Sequence, residues 1–242
     1  MPIIKLDAID STNDYLKQLS KDAALENYTI VLADEQTKGK GQMGAKWFSE
    51  KGKNLTMSVL VNGLSLRKEM VFDLNIAVAL SVLRVLKNIE IPNVSIKWPN
   101  DILSDSKKVS GILIENALKT DGSVNSVIGI GLNANQTNFE GLPQASSLKC
   151  ITGKEYDLEA VALLLRESLK ESMLMLTESP AQLWGDYHAN LYKINYPSAF
   201  EDQMGNRFMG IIKKVNQAGK LEVLLEDDSL AYYEVKEIKM LY

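Results

Sequence analysis

The residues Gly39-Lys40-Gly41-Gln42-Met43-Gly44 spell G-x-G-x-x-G, with Lys38 before them and Lys46-Trp47 after. Glycines at this density let backbone N–H groups approach a phosphate without Cβ interference, and consecutive N–H groups form an anion-binding nest. A second cationic stretch runs from Lys97 to Glu115 and holds Lys97-Trp98-Pro99-Asn100-Asp101 and Lys108-Val109-Ser110-Gly111. Basic groups in two separate stretches suit a cleft that holds two anions together, such as a triphosphate and a carboxylate. Two further stretches, Ser11-Thr12-Asn13 and Gly129-Ile130-Gly131-Leu132-Asn133, also place polar or glycine residues at the edge of an apolar element. Such edges line clefts in α/β proteins.

Elimination narrows the chemistry. His188 is the only histidine and Cys150 the only cysteine. Histidine catalysis, an internal disulfide and a cysteine-clustered zinc site are therefore not expected. His188 is expected to serve packing. Reactions must rest on lysines, backbone amides, side-chain amides and carboxylates. A dinucleotide-binding reading of the glycine motif needs a helix after it. Here β-like runs lie on both sides, Tyr28–Ala33 and Asn54–Val61. A Walker A loop needs lysine after the last glycine, and Ala45 stands there. The kinase glycine loop needs further signatures that are missing. On its own the motif reads equally well as a flexible hairpin tip.

The chain has 242 residues, 45% of them hydrophobic, and a formal net charge of −4. It is long enough for one large domain, or one large and one small. The acidic balance argues against nucleic-acid or anionic-membrane binding. The longest apolar helical run, Ile76–Leu86, is too short to span a bilayer. MPIIKLDAID carries no secretory signal pattern, so a cytoplasmic location is expected.

Several elements must position these groups. Ile3–Ile9 reads as a strand, and Ser11-Thr-Asn-Asp14 as a capping box opening a helix from Asp14 to about Ala24. A helix N-terminus with spare polar side chains also suits a polar ligand head group. A buried helix is expected from about Arg67 to Lys87. Strands follow at Val94–Trp98, at Ile102-Leu103 with Val109–Glu115 as a hairpin, and at Asn125–Asn135. The spacing of Leu158, Val161, Leu165, Leu169, Met173 and Leu176 predicts a core stripe on a helix over Asp157–Thr177. Another helix is expected over Pro180–Leu191, and a linker at Pro197. Beyond Ala199 short strands alternate with turns at Met204-Gly-Asn, Gln217-Ala-Gly and Glu226-Asp-Asp-Ser, the pattern of a small β-barrel. Residues 201–242 carry eight acidic and six basic side chains, which disfavours a nucleic-acid role for it. Trp98 reads as a core residue and Lys97 as a solvated strand-end lysine.

Taken together, the S-T-N opening, G-K-G-Q-M-G-A-K-W, K-W-P-N-D, K-V-S-G-I-L-I-E and G-I-G-L-N-A-N resemble the biotin protein ligases, in family order and with family-like spacing. The resemblance implies an α+β fold: a mixed sheet flanked by helices, biotin/lipoate ligase-like and related to class II synthetases, over residues 1–194. Residues 195–242 would form a small SH3-like barrel. It also implies ATP, biotin and Mg²⁺, and a two-step activity. Biotin is activated to biotinyl-5'-AMP and then passed to one lysine of a biotin carboxyl carrier protein. By motif, Ser11, Thr12, Asn13 and Gln36 would hydrogen-bond biotin, with Gly111, Gly129 and Leu132 lining its pocket. The Gly39–Gly44 loop, with Lys40, Gly41 and Gln42, would fold over the carboxylate and the adenylate phosphate. Lys108, with Lys40, would be the catalytic cation; Trp47 would pack on adenine. Asn100 and Asn133 would contact nucleotide or metal, and Asp101 would be a magnesium-holding or orienting carboxylate. Gln42 and Ala45 stand where the family pattern has arginines, which weakens the side-chain grip on phosphate.

Three other readings remain open. Lipoate ligation is the neighbouring chemistry, and a non-catalytic biotin sensor would make no use of Lys108. A DNA-binding regulator would need a helix-turn-helix, for which the opening at Met1 leaves no room. The resemblance implies no nucleic-acid or membrane partner, and a monomer or homodimer.

Overall fold

Val124–Leu132 alternates between faces. Ile128, Ile130 and Leu132 are buried in the main apolar core, while Gly129 and Gly131 point the other way. In the computed structural model, which describes residues 2–64 and 71–241, this run is β7 of a seven-stranded sheet. The other strands are β1 (Ile3–Ile9), β2 (Ile30–Gln36), β3 (Leu55–Leu64), β4 (Val94–Lys97), β5 (Asp101–Ser104) and β6 (Lys107–Leu118). Their order is β1-β2-β3-β7-β6-β5-β4. The β1–β2 pair is parallel and the rest are antiparallel, so the sheet is mixed.

The two faces of the sheet are treated differently. One is covered by α2 (Val71–Asn88), α4 (Leu158–Glu178) and α5 (Pro180–Ala189). The expected stripe on α4 is in place, with Val161, Leu165, Leu169, Met173 and Leu176 in the main core. Burial of each such side chain contributes about 1.5–3 kcal/mol. Among the described helices, the opposite face carries α1 (Thr12–Asp22), seated by Leu16 on Val31, Leu60 and Val127. Beyond α1 this face is a groove.

The start of the expected Arg67–Lys87 helix lies outside the described residues. A short helix, α3 (Leu148–Thr152), has no apolar period to announce it. Its N-cap Ser147 accepts from Cys150 N, and Gly153 ends it with φ 75°. His188 serves packing, as expected: it lies tilted against Trp184 and edge-on to Tyr187, and its ring bonds the Val215 backbone.

Pro197 is not a linker but the first residue of β8 (Pro197–Asp202). With β9 (Arg207–Val215), β10 (Leu221–Leu225), β11 (Leu230–Tyr233) and β12 (Ile238–Leu241) it forms an antiparallel sheet ordered β11-β10-β9-β8-β12. The expected barrel is therefore open between β11 and β12. The small sheet shares the main core through Phe200, Ile212, Val215, Leu221, Val223, Ile238 and Met240. Trp98 lies partly buried at this junction, where its Nε1 donates to Gly219 O over 2.9 Å.

Candidate active site

A line of paired Cα positions crosses the groove: Thr56 with Gly131, Gly131 with Gly111, Gly111 with Asp101, and Asp101 with Lys97. Partners in adjacent strands share a face, so all five look into the groove. The parallel line Ser58–Gly129–Leu113 lies next to it, under α1. Small residues at the centre leave room, and charged ones occupy the far end. The resulting cavity measures about 520 Å³.

Lys108 reaches this face through an irregularity. Leu103 pairs with Lys108 and Ile102 with Ser110, which leaves Val109 as the extra residue of a β-bulge. Val109 turns into the core, fully buried. Lys108 and Gly111 would otherwise face opposite sides; the bulge re-aims the lysine. Its Nζ then lies 2.6 Å from Asp101 Oδ1 and 5.7 Å from the centroid of the Trp47 ring.

At the α1 end stands a polar box. Ser11 caps the helix by accepting from Asp14 N. The Thr12 N–H and hydroxyl both donate to Gln36 Oε1, over 2.8 and 3.0 Å. Ser58 Oγ lies 2.8 Å from Thr12 Oγ1 and 2.5 Å from Asn13 Oδ1, and its single proton can serve only one of them. Asn13 Nδ2 donates to Glu115 Oε2 over 2.8 Å. Lys17 joins Glu115 to Asp14, and Asp14 holds Lys40 Nζ at 2.5 Å. Burial works to raise the Asp14 pKa, but the hydrogen bonds from Lys17 and Lys40 prevail and hold it below the usual range. A Cβ at Gly129 would come 2.6 Å from Asn13 Oδ1, so glycine there is a steric requirement of the box.

The glycine loop is a small hairpin folded over this groove. Lys40 bridges Lys46, Gly41 N donates to Ala45 O, and Trp47 N donates to Gly39 O. Its tip is a single 3₁₀ turn, Gln42–Gly44, where Met43 and Gly44 both have positive φ. The loop thus is a hairpin tip and a wall of the cavity at once. It carries Trp47 over Gly131 and Gly111, so closely that a Cβ at Gly131 would fall inside the indole. The small sheet touches it too, since Lys236 Nζ donates to Met43 O over 2.5 Å.

Most of the expected site residues meet here. Ser11, Thr12, Asn13, Gln36, Lys40, Gly41, Gln42, Trp47, Asn100, Asp101, Lys108, Gly111 and Gly129 all line the cavity. Gly39 and Gly44 line a second depression on the outer side of the loop. Leu132 departs from expectation: alternation along β7 turns its side chain into the core. Asn133 is a brace, with Nδ2 donating to Ser146 O over 3.0 Å and N bonding Val109 O beside the bulge. Lys97 is not a solvated lysine. It is half-buried in the cavity wall, and burial, above all, pushes its pKa down; Asp101 opposes the shift, and Lys108 and Lys239 add to it. Ser58 and Glu115 escaped sequence reasoning as site residues, although Ser58 lies in the run Asn54–Val61 and Glu115 closes the cationic stretch.

A mixed sheet carrying a glycine-floored, lysine-rimmed cleft beside a helix N-terminus defines a site for a polar head group and an anion. The model of the biotin/lipoate A/B protein ligase family matches residues 6–133, and the chain belongs to that family. Over 167 residues it is 35% identical to the bifunctional ligase/repressor BirA of Bacillus spizizenii, covering 66% of this chain but only 50% of that protein. It is 29% identical to the biotin--[acetyl-CoA-carboxylase] ligase of Mycobacterium tuberculosis, over 87% of this chain and 79% of that one. Among solved structures, the biotin protein ligase of Aquifex aeolicus in complex with biotin and ATP superposes with a TM-score of 0.80. The two are 28% identical, and the match covers 99% of this chain and 98% of that one. Among the described residues no helix is long and apolar enough to cross a membrane.

Proposed function

We propose that the protein activates biotin with ATP to biotinyl-5'-AMP and transfers biotin to a lysine of a biotin carboxyl carrier protein. The observation that carries this choice is the polar box of Ser11, Thr12, Asn13, Gln36 and Ser58. A cyclic urea presents two N–H donors and one carbonyl, which hydroxyls and amides can re-partner. Lipoate's dithiolane offers no such groups and would leave the box unpaired, a discrimination of several orders of magnitude in sites of this kind. The relatives named above point the same way.

In the first step a carboxylate oxygen of biotin attacks the α-phosphorus of ATP, and the bond to pyrophosphate breaks. Lys108 stands between the two anions and stabilises the charge that builds on the α-phosphate, while Lys40 and the loop N–H groups hold them in line. Trp47, above Gly131 and Gly111, stacks on adenine. In the second step the carrier's neutral lysine amine attacks the acyl carbonyl and AMP leaves. The C-terminal sheet, as a unit of residues 195–242, closes the nucleotide side of the catalytic part.

Among the described residues no group of three acidic, histidine or cysteine side chains gathers to hold a metal. That does not fit an all-protein site. It does fit magnesium bound mainly through nucleotide phosphates, which needs one or two protein oxygens; Asp101, with Asn100 beside it, would supply them. The ion would neutralise phosphate charge.

Thermal melting with each carboxylate tests the choice. Biotin at 100 times its dissociation constant stabilises by about 2.7 kcal/mol, so Tm should rise with biotin and not with lipoate. A rise with lipoate alone would assign the other chemistry.

A further inference from the structure

Between the polar box and the glycine loop, four charged side chains form an unbroken line. Asn13 Nδ2 donates to Glu115 Oε2. Lys17 Nζ donates to Glu115 Oε1 over 2.6 Å and to Asp14 Oδ1 over 2.8 Å, and Lys40 Nζ donates to Asp14 Oδ2. Each of the four carboxylate oxygens thus takes a donor, and the two carboxylates balance the two ammonium groups. Lys40 lines the cavity, whereas Asp14 and Lys17 stand outside its wall. Neither of them has a part in the two chemical steps.

Stability does not account for this line. Lys40 and Asp14 keep 49% and 40% of their side-chain surface in water, and pairs so exposed contribute little to folding. Position accounts for it better. Lys40 sits between Gly39 and Gly41, on a backbone of wide conformational freedom, and a free lysine side chain has much rotamer entropy to lose. Asp14 is fixed by contrast. It stands in the first turn of α1, directly after Asn13, where its N–H donates to the Ser11 cap and the helix dipole favours a carboxylate. Burial opposes its ionisation, but the bonds from Lys17 and Lys40 outweigh that and keep the carboxylate charged at neutral pH.

We infer that Asp14 is a positioning residue: it holds the Lys40 ammonium at the cleft, so that this cation meets the reacting carboxylate and α-phosphate in line. Glu115 and Lys17 brace Asp14 from behind. An ammonium group carries three protons, so Lys40 can keep Asp14 and still donate to an anion in the cleft. For anion binding alone the Asp14 carboxylate is unfavourable, because it repels what Lys40 attracts. Its benefit lies in orientation. The role rests on the ligase reading and adds to it a residue that touches neither substrate.

Single-turnover formation of biotinyl-AMP by the full chain, over a range of ATP concentrations, tests it. Asp14→Asn keeps the shape of the side chain and removes its charge. The rate at saturating ATP should fall roughly tenfold, as expected when a reacting group is left misaligned. The ATP concentration that gives half the maximal rate should not rise, since a repelling charge has gone. Asp14→Glu should recover most of the loss. In a Lys40→Gln background Asp14→Asn should cost nothing further, because a residue that acts through Lys40 loses its effect with it. A general lesion of folding would add to the Lys40 effect instead. An undiminished rate in Asp14→Asn or in Lys40→Gln, or losses that add in the double variant, would overturn the role and leave the ligase reading intact. A wild-type chain that forms no biotinyl-AMP would remove that reading and the role together.

Discussion

Lys108 and Gly111 face the same side of β6 although they stand three positions apart, because the bulge at Val109 resets the alternation. A Cβ on Gly111 would lie 3.3 Å from Lys108 Nζ. The strand therefore delivers a cation to one point with a glycine beside it, over which the Trp47 ring lies. Lys108→Ala should lower adenylate formation by roughly a hundredfold or more, about 2.7 kcal/mol of transition-state stabilisation. Biotin affinity should change far less. Single-turnover formation of biotinyl-AMP, read alongside a biotin titration, separates the two effects. Loss of biotin affinity with an unchanged adenylation rate would make Lys108 a binding group only.

Gly131 is the seat of Trp47. Gly131→Ala forces the indole off its floor, since the new methyl would occupy the ring's place. The expected outcome is a KM for ATP raised at least tenfold, with biotin binding retained because the polar box lies on the neighbouring line. Steady-state kinetics in both substrates shows the split. An unaltered KM for ATP would mean that Trp47 does not stack on the nucleotide.

Gly129→Ala should act on the other proposed substrate, biotin. Its methyl would press on Asn13 Oδ1, which Ser58 contacts at 2.5 Å. Disturbing a buried polar pair costs about 1–3 kcal/mol, so biotin affinity should fall roughly five- to a hundredfold. Equilibrium binding with no nucleotide present measures this directly, and wild-type affinity would show that the box does not hold biotin.

Much of this was legible in the sequence. Strands and helices came from period 2 and period 3.6, and the glycine-rich edges marked the groove. Leu132 and Asn133 were misplaced because a motif names neighbours in the chain, whereas alternation decides which of them reaches the cleft. Lys97 reads as a solvated strand end until the small sheet is seen to cover that side. The bulge at Val109 left no sign in K-V-S-G-I-L-I-E, since an inserted residue looks like any other apolar position. The open C-terminal sheet was read as a barrel because strand lengths and turns are local, while closure depends on pairing between β11 and β12.

Removing the chain after Asn195 should abolish adenylation and compromise folding. Seven apolar side chains of the small sheet belong to the main core. At about 1.5–3 kcal/mol each, their burial is comparable to the whole net stability of a domain, ~5–15 kcal/mol. Lys236, whose ammonium bonds Met43 O, would be lost as well. Circular dichroism melting of the truncated chain, compared with the full chain, reads the folding part. A truncated protein with wild-type melting and wild-type adenylation would show that the small sheet is dispensable.

The central claim is that this cleft joins the carboxylate of biotin to the α-phosphate of ATP. The most direct measurement is exchange of labelled pyrophosphate into ATP, with biotin or lipoate as the carboxylate and Lys108→Ala as the control. Biotin-dependent exchange that falls roughly a hundredfold in the control, with none supported by lipoate, is the predicted result. Exchange with lipoate but not biotin, or no carboxylate-dependent exchange at all, would contradict it.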